Sequence, residues 1–483
     1  MTVLHTDTDI ILGPPGTGKT TKMLSIVEDL LRQGLYPNEI GYVAFTKKAA
    51  DEAITRALER FPEYQRNDFE FFRTIHSLCF RQLGMTRQQV MQRHHLIELG
   101  DLLGIEIRGQ LNSFYDEDEF IESAPGDKAA FIESVARNRR ISVKQQWEES
   151  DNEILGFNEL DQFARSLEHF KQSRGLVDFT DMLEMFCVRG ARPKIRALIV
   201  DEAQDLSLLQ WSVIQEIAKH VDTVFLTGDD DQCIYRWAGA ASDYFTHLEG
   251  RVSVLASSFR TPRAIKAVGD HIISRNRSRR TKAWAPTNRD GSVNWTSTID
   301  ELPITETTGT WFLLARNAYL LKQFEEKCLE DGIPYVTHTG RTPVRPDTLR
   351  AIRIWTRLES GAPVAPEDAE FARSYSSPRS PGKGIWHDAL DRIPVKERQF
   401  LVAALRRGES ITAPPRVKIG TIHSVKGGEC DHCAILLDMA RQTYDGYQGS
   451  SEEDEHRTFY VGVTRAKESV HFIEPMTSMS FDL

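Results

Sequence analysis

The chain has 483 residues, more than one hydrophobic core usually organises, so we expect two or more domains. Hydrophobic residues make up 40% of it, charged residues 27%, and no window approaches 18 uninterrupted apolar residues, so we expect no membrane association. The first motif leaves no room for a signal peptide, which predicts a cytoplasmic location. The net charge of −10 argues against coating nucleic acid by bulk electrostatics, although a local basic groove stays compatible with it.

The sequence GPPGTGKT, residues 13–20, fits the phosphate-loop pattern G-x-x-x-x-G-K-[ST] in full. It follows an apolar run and precedes apolar residues at helical spacing, which predicts strand, loop and helix. Its backbone N–H groups and the helix N-terminus suit phosphate oxygens. Lys19 is predicted to neutralise the β- and γ-phosphates, and Thr20 to ligate Mg²⁺. The predicted nucleotide-binding residues of this loop are Gly13, Pro14, Pro15, Gly16, Thr17, Gly18, Lys19, Thr20 and Thr21.

Strands and helices are predicted to alternate after this loop. Residues 39–46 form a predicted strand, 47–60 a helix, and 71–77 a third strand that runs into a helix. The order favours a parallel, doubly wound sheet. Residues 85–170 change to charged amphipathic segments and indicate a helical insertion. The sheet then resumes at 197–200 and 223–227, and both runs end in acidic residues at the expected ligand edge.

Those acidic residues suggest hydrolysis of a triphosphate, which needs one carboxylate near Mg²⁺ and another to activate water. We assign Asp201 to the metal and Glu202 to the water; the alternative is that DEAQD favours a helix dipole. In GDDDQ, Gln232 is predicted to sense the γ-phosphate. Tyr235 and Trp237 offer faces for base stacking, with core packing as the alternative.

A second α/β unit is predicted to begin near 251, with strands at 252–255, 311–315 and 417–420. The segment 361–412 is rich in proline, serine and arginine, typical of a small insertion or mobile segment. Two basic clusters, 137–140 and 275–282, are either solvated faces or phosphate contacts.

A series of blocks resembles, in the same order, the motifs of the superfamily 1 DNA helicases of the UvrD, Rep and PcrA type. They are GPPGTGKT, YVAFTKKAADE, TIHSLC, VDFTDML, LIVDEAQDLS, LTGDDDQCIYRWAGA, SSFRTP, IGTIHSVKGGECD and FYVGVTRAKE. The resemblance implies two RecA-like parallel-sheet domains with helical insertions and a phosphate loop in the first only. The implied first domain is 1–84 with 171–250, its insertion 85–170, the second domain 251–360 with 413–483, and its short insertion 361–412.

The resemblance also implies ATP and Mg²⁺ as cofactors and roles for further residues. Phe259 is expected to stack on adenine, Glu429 to contact the ribose, and Arg260 to reach the γ-phosphate from the second domain. Arg465 is similar to the family's arginine finger, so the implied catalytic residues are Lys19, Asp201, Glu202, Gln232, Arg260 and Arg465. The implied contacts to single-stranded DNA are Phe45, Thr46, His76, Trp237 and His423.

Some positions depart from the family pattern. The glutamine expected before the phosphate loop is missing, since the first glutamine is Gln33, and this puts selectivity for ATP in question. Ala238 replaces an arginine expected near DNA, and Gly428 and Cys430 change KGLEF to KGGEC. The run CDHC at 430–433 invites a zinc interpretation, but the position of a core aromatic and the buried strand that follows argue against it.

The implied activity is that of an ATP-driven translocase and helicase with 3′-to-5′ polarity. Its substrates are single-stranded DNA and junctions of single and double strands. The alternative is a DNA-stimulated ATPase subunit that senses DNA and regulates a partner such as a nuclease or a repair or replication factor. The short second insertion and Ala238 keep this alternative open.

Overall fold

The computed structural model describes residues 2–5, 7–44, 47–109, 124–150, 155–190, 192–411 and 413–483. It divides into two compact units. The first comprises Met1–Asp290 and Tyr447–Tyr460, and the second Gly291–Gly446 and Val461–Leu483. Within the described residues, every helix is too short or too polar to cross a membrane.

Strands of the first unit are β1 (Thr2–Val3), β2 (Thr8–Leu12), β3 (Ile40–Ala44), β4 (Phe72–Thr74), β5 (Ala197–Val200), β6 (Thr223–Gly228), β7 (Leu248–Glu249) and β8 (Arg251–Val254). Six of the described strands form a parallel sheet in the order β4-β3-β5-β6-β2-β8, and β1 pairs with β7. The strands β3 and β5 are buried along their whole length, as expected for a sheet covered on both faces.

Helices cover both faces of this sheet. The helices up to residue 290 are α1 (Lys19–Arg32), α2 (Lys47–Arg60), α3 (Ile75–Gln82), α4 (Arg93–Leu103), α5 (Pro125–Arg139), α6 (Val143–Glu149), α7 (Phe157–Arg174), α8 (Phe179–Arg189), α9 (Leu208–Ala218), α10 (Ser242–Thr246) and α11 (Arg263–Ile273). One hydrophobic core includes Trp211 and Phe186, and the core on the opposite face includes Val27 and Ile54. Helices α4, α5 and α7 share a separate core around Phe163 and Leu160, in agreement with the predicted helical insertion.

The second unit contains β9 (Ser292–Thr296), β10 (Trp311–Ala315), β11 (Tyr335–Thr337), β12 (Val417–Thr421), β13 (Cys430–Leu436) and β14 (Ala466–Ile473). These strands form a parallel sheet in the order β11-β12-β10-β13-β14-β9. The remaining helices are α12 (Lys322–Asp331), α13 (Pro346–Glu359), α14 (Pro366–Arg373), α15 (Trp386–Ala389), α16 (Val395–Arg406), α17 (Arg441–Tyr447) and α18 (Glu452–Val463). Two parallel-sheet α/β units of the RecA-like kind, with the phosphate loop in the first, confirm the predicted fold class.

The structure differs from the sequence-based expectation in two places. The strand at 251–254 does not open the second sheet, because it pairs in parallel with β2 as the edge strand of the first. The segment 361–412, which the sequence predicts to be a small insertion or a mobile segment, contains helices that pack together. From Val344 to Leu401 its helices and α13 bury Trp355, Trp386 and other apolar side chains in a core of their own. The sequence did not indicate this core because a high proline and serine content suggests irregular structure. Here the prolines at 346 and 366 begin helices.

Candidate nucleotide and nucleic-acid site

The phosphate loop connects β2 to α1 at the carboxyl edge of the first sheet. The Gly13 N–H donates to the Gly228 carbonyl at 3.0 Å, which ties the loop to the end of β6. A Cβ at Gly13 would lie 2.1 Å from Cγ of Lys19, so only glycine leaves room for that side chain. Gly16 and Gly18 have φ values of 70° and 80°, where glycine is favoured. These features form the predicted cradle for phosphate.

Lys19 is the first residue of α1, and its ammonium lies within the cradle. Its Nζ donates to the Gly13 carbonyl at 3.3 Å and lies 3.5 Å from Oε1 of Glu202. Thr17 Oγ1 donates to the Pro14 carbonyl at 2.8 Å and so fixes the turn before the helix. Thr20 follows in the first helical turn, where its hydroxyl fits the predicted role of Mg²⁺ ligand.

The segment Ser258-Phe259-Arg260 packs directly on this loop. Ser258 Oγ donates to the Pro15 carbonyl at 2.8 Å, and the Phe259 N–H donates to the Gly16 carbonyl at 2.8 Å. The Phe259 ring is 78% exposed, and its edge lies 3.7 Å from where a Cβ at Gly18 would be. An exposed aromatic face beside the phosphates suits stacking on a base.

This placement corrects one expectation. Arg260 was expected to come from the second α/β unit, but it belongs to the first. Its Cβ lies 2.4 Å from where a Cβ at Gly16 would be. The reason is the strand pairing: β8 completes the first sheet, so the residues after it emerge beside the phosphate loop.

Asp201 and Glu202 follow β5, two strands away from the phosphate loop. Oδ1 of Asp201 accepts from Thr227 Oγ1 at 2.7 Å, and Oδ2 accepts from the Tyr42 hydroxyl at 3.0 Å. Burial, and then the charge of Glu202, raise the pKa of Asp201, while the two hydroxyl donors oppose this shift. A buried carboxylate held by two hydroxyls fits a metal ligand. Tyr42 and Thr227 lie within two of the matching sequence blocks, but nothing in those blocks indicates that their hydroxyls bind Asp201.

Glu202 has a φ of 51°, an uncommon value for a residue with a side chain. Strained backbone of this kind concentrates at functional positions. Oε2 of Glu202 accepts from Gln204 Nε2 at 2.7 Å, and Gln204 Oε1 accepts from the Asp229 N–H at 3.0 Å. Gln232 Nε2 donates to Asp229 Oδ2 at 2.6 Å. The structure therefore brings the predicted water-activating residue and the predicted γ-phosphate sensor into one hydrogen-bond network.

Both basic clusters have protein partners. Arg137 lies 2.5–3.3 Å from four carboxylates, those of Glu133, Asp178, Asp181 and Glu184. In the second cluster, Lys282 and Arg279 pair with aspartates of GDDDQ. Neither prediction, a solvated face or a phosphate contact, describes Arg137, Arg279 and Lys282 in this structure. These side chains form ion pairs with carboxylates, most of which are distant in sequence.

Of the predicted DNA contacts of the first unit, the structure describes His76 and Trp237. The other two, Phe45 and Thr46, lie outside the described residues. His76 is in the first turn of α3, with its ring edge-on to Phe179 at 5.5 Å. Burial lowers the pKa of His76 to about 4, against a smaller opposing effect of Asp178, so the ring is neutral at pH 7. Trp237 is partly buried, with its ring centroid 5.6 Å from that of Phe131 on α5.

The remaining predicted residues lie in the second unit. Arg465 is buried, and donates from Nε to the Val461 carbonyl at 2.9 Å and from Nη1 to the Gly428 carbonyl at 3.3 Å. Glu429 pairs with Lys467. Glu429 directly precedes β13, and Arg465 directly precedes the neighbouring strand β14. His423 follows β12 and is buried. In the CDHC run, the two ring nitrogens of His432 lie 2.8 Å from Ser469 Oγ and 2.9 Å from the Thr308 carbonyl.

Comparison with known proteins identifies two family domains in the chain. Residues 2–253 match the UvrD/REP helicase N-terminal domain, and residues 395–474 match the UvrD-like helicase C-terminal domain. DNA helicase II of Haemophilus influenzae is 23% identical over 431 residues, which cover 81% of this chain and 57% of that protein.

Two further relatives match shorter stretches of the chain at higher sequence identity. A probable DNA helicase II homolog of Rickettsia conorii is 26% identical over 404 residues, 73% of this chain and 59% of the relative. A probable DNA helicase II homolog of Mycoplasma pneumoniae is 28% identical over 269 residues, 51% of this chain and 36% of the relative. The chain thus spans between 36% and 59% of the length of these three relatives. Because the N-terminal family domain alone covers more than half of its residues, the chain belongs to the UvrD/Rep helicase family.

Proposed function

We propose that this protein is an ATP-dependent translocase on single-stranded DNA that unwinds duplexes with 3′-to-5′ polarity. The observation that supports this most directly is the convergence of the motifs on one sheet edge. The phosphate loop follows β2, the acidic pair follows β5, and Gln232 follows β6. His76 follows β4 at the same edge, so residues for nucleotide and for DNA share one rigid support. The polarity rests on the family resemblance alone.

In the proposed reaction, Mg²⁺ and ATP supply the metal and the scissile phosphoanhydride. Lys19 neutralises phosphate charge, and Thr20 and Asp201 hold the metal. Glu202 orients the attacking water and accepts its proton. The 3.5 Å separation between Lys19 Nζ and Glu202 Oε1 supports neighbouring roles in phosphate binding and water activation.

The second step of the proposal concerns arginines. Arg260 starts beside Gly16 and extends toward the γ-phosphate, and Arg465 acts as an arginine finger. For that role the Arg465 guanidinium must exchange the Val461 and Gly428 carbonyls for phosphate oxygens. Phe259 stacks on the base, and Glu429 contacts the ribose after releasing Lys467.

On the nucleic-acid side, we assign backbone and stacking contacts to Phe45, Thr46, His76, Trp237 and His423. His76 acts as a neutral ring, since its pKa is about 4. Trp237 lies between the nucleotide motifs and α5 of the helical insertion, because GDDDQ precedes it by a few residues and Phe131 packs against it. Trp237 is therefore placed to report on bound DNA to the site of hydrolysis.

A strand-displacement assay tests the proposal. Duplexes with a 3′ tail, a 5′ tail or blunt ends are incubated with protein, Mg²⁺ and ATP, with Lys19→Ala as the inactive control. We expect displacement of the 3′-tailed duplex, which loads a 3′-to-5′ translocase. Displacement of the 5′-tailed duplex alone would contradict the polarity. ATP turnover stimulated by single-stranded DNA without displacement of any substrate would favour the alternative, a DNA-sensing ATPase subunit that regulates a partner such as a nuclease.

A further inference from the structure

One ammonium group in the first unit lies among three consecutive aspartates. Nζ of Lys282 is 2.8 Å from Asp229 Oδ1, 2.6 Å from Asp230 Oδ1 and 2.9 Å from Asp231 Oδ2. The side chain of Lys282 is 2% exposed, and that of Asp229 is 0% exposed. Arg279 also binds this acidic run, with hydrogen bonds of 2.8 and 2.6 Å to the Asp231 carboxylate.

Burial of this acidic run depends on these cations. Burying a carboxylate without a partner costs several kcal/mol of folding free energy. The three buried aspartates that follow β6 therefore need positive charge beside them. Burial acts to raise the pKa of Asp229, but the charge of Lys282, followed by that of Lys19, lowers it overall. Asp229 is therefore an ionised hydrogen-bond acceptor at neutral pH.

Asp229 is also the centre of the network that joins the two acidic motifs. Its Oδ2 accepts from Gln232 Nε2 at 2.6 Å, while its Oδ1 faces Lys282. Its backbone N–H donates to Gln204 Oε1 at 3.0 Å. The amide of Gln204 then donates to Glu202 Oε2 at 2.7 Å. The Asp229 carboxylate thus fixes the predicted γ-phosphate sensor directly, while the backbone N–H of the same residue is linked through one amide to the predicted water-activating residue.

We propose that Lys282 is a positioning residue for nucleotide hydrolysis, acting through Asp229. With Lys282 on Oδ1, the Asp229 carboxylate keeps one orientation, and Gln232, which donates to Oδ2, keeps its own. The proposal rests on the proposed function, because these groups need fixed positions only if the site hydrolyses a nucleotide. It gives a role to a basic cluster that the motifs left unassigned.

The test separates positioning from neutralisation of charge. Lys282→Met removes the ammonium with little change in length, and Arg279→Met is the matched control, because Arg279 pairs with Asp231 and leaves Asp229 and Gln232 in contact. The double variant Asp229→Asn/Lys282→Met removes both charges, so it keeps a compensated interior if the single variant folds poorly. For each protein we measure kcat and KM for ATP with saturating single-stranded DNA, and the thermal unfolding midpoint.

We expect Lys282→Met to lower kcat about 10- to 100-fold, the usual effect of losing a group that orients a functional residue, with KM changed less than about threefold. Arg279→Met should keep kcat within about threefold. The double variant should regain the unfolding midpoint while its kcat stays low. Recovery of kcat together with the midpoint, or an equal loss of kcat in Arg279→Met, would overturn the positioning role. A wild-type protein without DNA-stimulated turnover would overturn the proposed function, and this inference with it.

Discussion

The Tyr42 hydroxyl donates a 3.0 Å hydrogen bond to Oδ2 of Asp201, from β3 to the residue that follows the neighbouring strand β5. Tyr42 is 1% exposed, and burial raises the pKa of its hydroxyl, so it is a donor at neutral pH. Thr227 fixes the other carboxylate oxygen at 2.7 Å. Two neutral donors thus hold the proposed metal ligand in one rotamer.

We predict that Tyr42→Phe weakens the apparent affinity for Mg²⁺ about 10- to 100-fold, since outer partners of a metal ligand commonly contribute this much. The measurement is ATP turnover as a function of Mg²⁺ at fixed ATP. Tyr36→Phe is the control, because Tyr36 is 67% exposed. An unchanged Mg²⁺ dependence in Tyr42→Phe would mean that Asp201 does not bind the metal or is oriented without the hydroxyl.

Lys19→Ala, Glu202→Gln and Arg465→Ala should each abolish ATP turnover and leave the affinity for single-stranded DNA nearly unchanged. All three residues are proposed to address phosphate or water, whereas the proposed DNA contacts are other side chains. Turnover and fluorescence anisotropy with a labelled oligonucleotide are measured on the same preparations. If Glu202→Gln retains more than about a tenth of the wild-type kcat, another group activates the water.

The residues of the candidate nucleotide cradle could be predicted to lie together because their motif is local. The phosphate loop needs particular glycines within eight residues, and Asp201 and Glu202 directly follow a buried apolar run. The partners of these residues were not predictable in the same way. Tyr42 and Thr227 are ordinary strand residues, and only the pairing of β3, β5 and β6 brings them to Asp201.

The same distinction explains the errors in the fold. The edge position of β8 depends on pairing with β2, more than two hundred residues earlier, and no local pattern encodes which of two sheets a strand joins. The helical core around Trp355 and Trp386 was missed because its apolar residues are separated by prolines that begin helices. For Lys282 the sequence suggests only a solvated face or a phosphate contact, because a run of cations gives no sign of the buried aspartates that pair with it.

The histidine at position 76 should make stability depend on pH. Its pKa is about 4 in the folded protein and about 6.5 in an unfolded chain, so the unfolded chain binds a proton first as the pH falls. Folding therefore loses stability between about pH 6.5 and pH 4, and His76→Gln should lose less over that window. Thermal midpoints of wild type, His76→Gln and the exposed-histidine control His247→Gln are compared at each pH. Parallel curves for all three would contradict a buried neutral ring at position 76.

Trp237→Ala should uncouple DNA binding from hydrolysis. Loss of a stacking face costs roughly 1–3 kcal/mol per base, while the nucleotide cradle keeps all its own contacts. We expect basal ATP turnover to persist, and its stimulation by single-stranded DNA and any strand displacement to fall. Trp295→Ala is the control, since Trp295 is 53% exposed on β9. Unchanged stimulation in Trp237→Ala would indicate that this ring only packs against Phe131.

The exposed ring of Phe259 leads to a prediction about the nucleotide base. A site that hydrogen-bonds one base edge rejects other bases by about 10⁴, because the wrong base leaves buried polar groups unpaired, whereas stacking accepts any base. Phe259, 78% exposed beside Gly18, offers the base only a face for stacking. We therefore expect GTP and CTP to support DNA-stimulated hydrolysis within about a hundredfold of ATP in kcat/KM, a difference under roughly 3 kcal/mol.

The four ribonucleotides, each with saturating single-stranded DNA, provide the measurement, and Phe259→Ala provides its internal comparison. If stacking dominates, Phe259→Ala lowers kcat/KM for all four nucleotides by similar factors, since every base has a face to lose. An ATP preference beyond about 10⁴ in the wild type would show that another group binds the adenine edge.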